Sequence, residues 1–334
     1  MSARSDERLV WVDVAKTIGI YLIVFSHLGQ SGFSESFLWT FHVPLFFFLS
    51  GYLTRPQPPA EFLRSVTRKL IVPYIGIYTV IALLSVGLHA GADVPAFLRA
   101  MLGIAYGTRS YPYFVNDALW FLPSLITVEA LYVLGIRRLP PLYLLLLATS
   151  CVLYRRHALD LFLSVDLSLL GLNYFLAGVM ARRFDVLRGL AAGRGRAASA
   201  GLLGCGVTAA AAAAGNVWYA GEHYALALAA GLAGILMVVC VALLLAPLLE
   251  RSERARACCG FLSRNTLFLF CFHVFSNPFA SALLEPIALG PPLVRAAVTA
   301  AVSIAVLVPF IPLVRRLVPE LIGLRRERPA RAAA

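Results

Sequence analysis

Ten apolar runs divide this chain, at about residues 10–28, 37–53, 71–90, 118–136, 140–154, 161–181, 198–215, 223–249, 259–284 and 293–319. Each is long enough, or nearly so, to cross the roughly 30 Å of hydrocarbon in a bilayer. In lipid the backbone must satisfy its own N–H and C=O groups, so a spanning segment is a helix or a strand of a closed barrel. The runs are continuously apolar instead of alternating, which excludes barrel strands. The expectation is an all-α polytopic membrane protein with about ten transmembrane helices. Composition agrees. The chain is 60% hydrophobic and 14% charged, against about 45–50% and about 25% in soluble domains.

The net charge of +12 raises the possibility of a nucleic-acid partner, but its placement points elsewhere. The basic residues form short clusters between the apolar runs, as the positive-inside rule expects. With the N-terminus in the cytoplasm, the inner segments hold twenty-two Lys and Arg residues and the outer segments four, at Arg99, Arg109, Arg155 and Arg156. That asymmetry gives an N-in, C-in arrangement and counts the short fifth run as a full span. Residues 1–320 read as one integral membrane domain. Residues 321–334 read as a basic cytoplasmic tail lying against anionic lipid headgroups. The first run carries Asp13 and Lys16 and is followed by no small-residue cleavage site, so it reads as a retained span and not a signal peptide.

The six cysteines show neither metal-ligand spacing nor a secreted disulfide framework. They read as small core residues, and no metal is expected.

The chemistry lies in side chains that a lipid-spanning helix does not carry without reason. Ionisable groups in such segments face an interior, pair with one another or serve a function. The first run contains Trp11-Val-Asp13-Val-Ala-Lys16 and then His27. Eleven residues return Lys16 and His27 to nearly the same helix face, roughly 16 Å apart along the axis. Asp13 precedes Lys16 by three residues, so its carboxylate can reach the ammonium. The second run holds Phe41-His42-Val-Pro44-Leu-Phe-Phe-Phe-Leu-Ser50-Gly51-Tyr52. His42 opens this span from the outer side, at the level of His27, so two imidazoles can face one cavity. Pro44 fits the first turns of a helix, and Ser50-Gly51 permits close helix contact.

Three further clusters follow. Arg64, Arg68 and Lys69 stand at the inner mouth, where guanidinium and ammonium groups suit phosphates; as topology signals alone they would serve equally. Asn116, Asp117 and Trp120 enter the fourth span from outside and suit sugar through hydrogen bonds and ring stacking. Asn265 and His273, eight residues apart, form a polar stripe on the ninth span that reads equally as cavity lining or as a satisfied buried pair. The stretch 91–117 reads as an outer loop whose Tyr106, Tyr111 and Tyr113 can contact sugar.

These segments together resemble the membrane-bound acyltransferase-3 family, sugar O-acyltransferases of surface polysaccharides. The likeness rests on the Lys16-to-His27 spacing, the Trp11–Lys16 block, the Phe41–Tyr52 block, Arg68-Lys69-Leu-Ile-Val-Pro73-Tyr74, Leu119-Trp120-Phe121-Leu122, and Asn265 to His273. It implies an acyltransferase-3-like helical bundle in the bacterial inner membrane. It also implies transfer of an acetyl or other acyl group from cytoplasmic acetyl-CoA, a co-substrate, to a sugar hydroxyl at the outer face. The acceptor would be a polysaccharide or a lipid-linked sugar. The family often carries an Arg-x-x-Arg element for CoA phosphates; here the segment reads Arg64-x-x-x-Arg68-Lys69.

On this reading His27, Lys16, Asp13 and His42 are the catalytic candidates. Arg64, Arg68, Lys69 and Lys16 hold the donor, and Asn116, Asp117, Trp120, Asn265 and His273 contact the acceptor. His27 acts either as general base on the sugar hydroxyl or as the first acceptor of the acyl group. The competing expectation is an exporter of a lipid-linked sugar using the same charges as a proton relay.

Overall fold

The computed structural model describes residues 9–29, 32–89, 94–108, 111–112, 115–155, 159–215, 217–287 and 290–324. Arg4, Arg8, Arg109, Tyr113, Arg156 and the basic tail from residue 325 onward, all used in the sequence reading, lie outside these residues. The described residues fold into helices α1 Val10–Ser26, α2 Gly32–Leu53, α3 Pro59–Val66, α4 Val72–His89, α5 Val94–Tyr106, α6 Phe121–Ala130, α7 Leu142–Arg155, α8 Val165–Arg183, α9 Val186–Ala191, α10 Arg194–Ala213, α11 Tyr224–Glu250, α12 Glu253–Arg264, α13 Thr266–Leu284, α14 Pro292–Leu307 and α15 Phe310–Leu317. No strand occurs among them.

Among the described residues, six segments are both long and apolar enough to cross a membrane: Gly32–Leu53, Pro59–Leu84, Phe162–Arg183, Tyr224–Glu250, Thr266–Leu284 and Pro292–Leu317. Val94–Tyr106, Phe121–Ile136 and Leu142–Arg155 are shorter apolar helices. The all-helical, multi-pass expectation is therefore met.

The details differ from the sequence reading in three places. The ninth run is two helices, because Asn265 ends α12 and starts α13 with a non-helical backbone (φ −113°, ψ 15°). The polar run Ser263-Arg264-Asn265-Thr266 lies at that break. The stretch 91–117, expected as a loop, contains the thirteen-residue helix α5. The second run begins earlier than its apolar residues suggest, at Gly32, so Pro44 sits in the middle of α2 and not in its first turns. There it denies the Thr40 carbonyl its usual i+4 donor.

The chain forms two compact units. One comprises residues 1–55, 143–159 and 169–306, and the other 56–142, 160–168 and 307–334.

In the first unit α1 packs against α2, α11, α12 and α13, and α2 packs against α10 and α11. Gly51 of α2 meets the backbone of α8 directly. A Cβ on Gly51 would overlap the Phe175 carbonyl, and one on Gly178 would overlap the Phe48 carbonyl. Small residues permit this backbone approach where lipid supplies no hydrophobic force between helices. The polar residue Asn173, in the same unit, accepts from the Tyr143 hydroxyl at 3.0 Å and donates to the Tyr224 hydroxyl at 2.7 Å. It ties α8 to α7 and α11.

In the second unit Phe62 and Val66 of α3 pack with Val133 beyond α6, and a π-helical turn, Thr67–Ile71, leads into α4. The buried Tyr78 hydroxyl donates to Ala100 O at 3.0 Å and accepts from the Val115 N–H at 3.4 Å. It joins α4 to α5 and to the segment that follows. Tyr78→Phe deprives the Ala100 carbonyl and the half-buried Val115 N–H of their partner and is expected to cost about 1–3 kcal/mol, read as a lower melting temperature of the purified protein.

Candidate active site

Three histidines of the first unit share one local design. His27 ends α1, and its Nδ1 lies 2.9 Å from Ile23 O. His42 Nδ1 lies 2.6 Å from Leu38 O, and His273 Nδ1 lies 2.6 Å from Phe270 O. A carbonyl only accepts, so each Nδ1 is the protonated nitrogen and each Nε2 carries the lone pair in the neutral ring. The helix backbone behind each ring thus fixes its tautomer.

The rings are neighbours. The His27 and His273 centroids stand 4.7 Å apart at 73°. Ser26 Oγ lies 3.3 Å from His27 Nδ1 and 3.4 Å from His42 Nε2, and it reaches Ile23 O at 2.8 Å. Trp39 closes the group, 5.8 Å from His27 and 4.7 Å from His42 by ring centroids. His42 and His273 are fully buried, while His27 is half-buried. His273 Nε2 has no hydrogen-bond partner among the described residues. A buried acceptor left without a donor is costly.

His27 opens onto a cavity of about 310 Å³ lined by Leu28, Val274, Asn277, Pro278 and Ser281. Asn277 is held from two sides, and its partner Ser303 is held in turn. Its Nδ2 donates to Val24 O at 3.2 Å, its Oδ1 accepts from Ser303 Oγ at 2.6 Å, and Ser303 Oγ lies 2.6 Å from Ser276 Oγ. This buried network crosslinks α1, α13 and α14 beside His27. Pro278 offers no N–H to the Val274 carbonyl, and both residues line the cavity.

The other end of α1 is polar as well. The Ser263 hydroxyl donates to Asp13 Oδ1 at 2.6 Å. Thr17 Oγ1 donates to Asp13 O at 2.9 Å and reaches Cys259 O at 3.3 Å. Lys16, one turn along α1 from Asp13, is half-buried. Asn265 stands at this level and not at that of His273. It is buried, its Nδ2 donates to Phe261 O at 2.6 Å, and its Oδ1 has no hydrogen-bond partner among the described residues. Eight helical residues, about 12 Å, separate it from His273.

The remaining candidates belong to the second unit. Arg64 and Lys69 are exposed and Arg68 is half-buried. Asp117 is exposed. Asn116 is buried, and its Oδ1 accepts the Ala118 N–H at 2.9 Å. That bond starts the turn leading into α6 and is a structural use of the side chain. Trp120 is buried, its ring edge-on to Phe121 at 6.2 Å.

Reading the sequence missed Ser26, Trp39, Asn277 and Ser303. Asn277 had a signal, since it follows His273 by four residues and so shares its face. Ser26 and Ser303 had none, because a lone serine in an apolar run looks like packing. Among the described residues no cluster of His, Cys, Asp and Glu suits a metal ion. None of the six cysteines forms a disulfide. Cys258 is exposed, unlike the buried Cys259 beside it.

The chain is a multi-pass helical membrane protein with three buried or half-buried imidazoles at one end of its first helix and a carboxylate with a lysine at the other. The profile of the acyltransferase domain known as acyltransferase 3 matches residues 9–312, and the chain belongs to that family. It is a membrane acyltransferase. Comparison with curated proteins and with solved structures gave no significant match.

Proposed function

We propose that this protein moves an acetyl group from cytoplasmic acetyl-CoA to a sugar hydroxyl of a cell-surface glycan at the outer face of a bacterial inner membrane. The arrangement we propose has ten spans with both termini inside, α1 counting as the first despite its seventeen residues. The observation that carries the reading is the His27 ring. It is locked by its own helix with Nε2 as the lone-pair atom, and it lines a cavity large enough for part of a sugar.

The reaction needs one base and one place for negative charge. His27 Nε2 takes the proton of the acceptor hydroxyl as that oxygen attacks the thioester carbon. The new ester C–O bond forms, the C–S bond breaks, and the leaving thiolate receives the proton from His27. CoA thiol and acetylated sugar result, with no redox step. His273, its ring edge-on to His27, is the polar neighbour of that ring while it carries the second proton. Cations stabilise the anionic parts of the donor, for which Arg64, Arg68 and Lys69 have the right chemistry. Lys16 and Asn265, at the Asp13 end of α1, suit the thioester arm. Among the acceptor candidates of the second unit, Asp117 is the one whose side chain is exposed to a ligand.

Purified protein in lipid nanodiscs, given labelled acetyl-CoA and a panel of glycans, tests this. Thioester consumption that depends on both glycan and protein supports the reading. Glycan movement across vesicles without acylation would point to the exporter. Lys16→Ala is expected to raise the KM for acetyl-CoA about tenfold, the scale of one charge-assisted contact, with a smaller change in the KM for the acceptor. Unchanged donor kinetics would remove Lys16 from the donor path.

A further inference from the structure

Beside the His27 cavity lies a second one of about 350 Å³. Leu28 and Ser281 line both, so the two adjoin at the end of α1. The second cavity differs in its chemistry. Ser34 of α2 and Thr299 of α14 contribute hydroxyl-bearing side chains, and Arg295 of α14 contributes a guanidinium. Neither cavity has an acidic side chain among its described lining residues. No carboxylate among the described residues forms an ion pair with Arg295. The buried Thr299 is turned back on its own helix, its hydroxyl donating to Arg295 O at 2.8 Å, which fixes the turn that carries Arg295.

An arginine at this end of the molecule needs a reason. In the proposed arrangement this is the outer face, where Lys and Arg are scarce. A guanidinium offers five donors and no acceptor, in a fork that matches a carboxylate or phosphate two bonds at a time.

We infer that the acceptor carries an oxyanion, a carboxylate on the sugar or a phosphate on its carrier, and that Arg295 binds this group while the hydroxyl to be acylated reaches His27. The inference rests on the acyltransferase reading above and narrows its acceptor to an acidic glycan or a phosphate-linked one. Ser34 and Ser281 provide hydroxyl partners for the sugar between the two anchoring points.

The test is equilibrium binding of tritiated probes to the full-length protein in phosphatidylcholine nanodiscs, with no acyl donor present. The probes are octyl glucoside, octyl glucuronide and farnesyl-phosphoryl glucose, which share a sugar frame and differ in charge. At least one anionic probe is expected to bind about tenfold or more tightly than octyl glucoside, the scale of a charge-assisted contact. The glucuronide arm reads a sugar acid and the farnesyl arm a carrier phosphate. Arg295→Gln should remove the preference, and Arg295→Lys should retain part of it, which also reports that the site is folded. Equal binding of charged and neutral probes, binding by none of them, or a preference that survives Arg295→Gln overturns the inference. Acetyl transfer is measured separately. Its absence despite an Arg295-dependent binding preference would count against the proposed reaction and leave the anion site standing.

Discussion

His27→Ala is expected to lower acyl transfer by about a thousandfold or more while the protein still accumulates in the membrane. General-base catalysis contributes about 10²–10⁴-fold, and no neighbour can take over. His42 and His273 are fully buried, and neither lines the cavity that His27 opens onto. The loss should fall on kcat at saturating donor and acceptor, because the ring is needed as the hydroxyl attacks and less for holding either substrate. His27→Gln keeps a polar side chain without a base and should be equally inactive. Transfer at more than about a tenth of the wild-type rate in either variant would take the base away from His27. Size-exclusion profiles and melting curves in detergent separate this loss from misfolding.

Gly178→Val is expected to prevent the first unit from assembling, and Gly51→Val to do the same from the facing helix. Each glycine sits where the backbone of one helix touches the backbone of the other, so the added atoms would overlap a main-chain carbonyl and not a side chain that can swing away. Overpacking of a filled core costs about 1–3 kcal/mol and occasionally more. A backbone collision belongs at the upper end, about 3 kcal/mol, because α2 and α8 must separate along their length. The readout is loss of membrane-extracted, monodisperse protein, or a melting temperature well below that of the parent. Gly189→Val is the control, since nothing lies within 4 Å of a Cβ there, and it should behave as the parent does. Wild-type behaviour of Gly178→Val would mean that the two helices do not meet at this point.

The helical, multi-pass character of the chain was legible because hydropathy is a local property. Each apolar run announces itself without knowledge of its neighbours. The break at Asn265 had a local sign, the polar run Ser263-Arg264-Asn265-Thr266, but the apolar residues on both sides of it let the ninth run read as one span. Helix α5 was hidden by its modest length and its neighbouring polar residues. At the candidate site, the spacing of Lys16 and His27 and the shared level of His27 and His42 follow from helix geometry alone. The meeting of His27 with His273 does not, since 246 positions separate them. Asn277 and Ser303 show the limit most plainly. Their hydrogen bond joins two helices whose individual sequences ask for no such partner, and only the packing of α13 on α14 creates it.

The way the three imidazoles are held has an evolutionary and practical corollary. Many histidine bases take their orientation from an acidic residue brought in from elsewhere in the chain. Here a peptide oxygen three or four positions upstream performs that service in all three cases. Orientation is therefore available as soon as a single turn has wound, before any long-range docking. No second mutation is required to keep it, and no negative charge has to be carried into the bilayer for it. Such a unit can drift in sequence around its ring, or be grafted onto an unrelated apolar helix, without losing the aim of its reactive nitrogen.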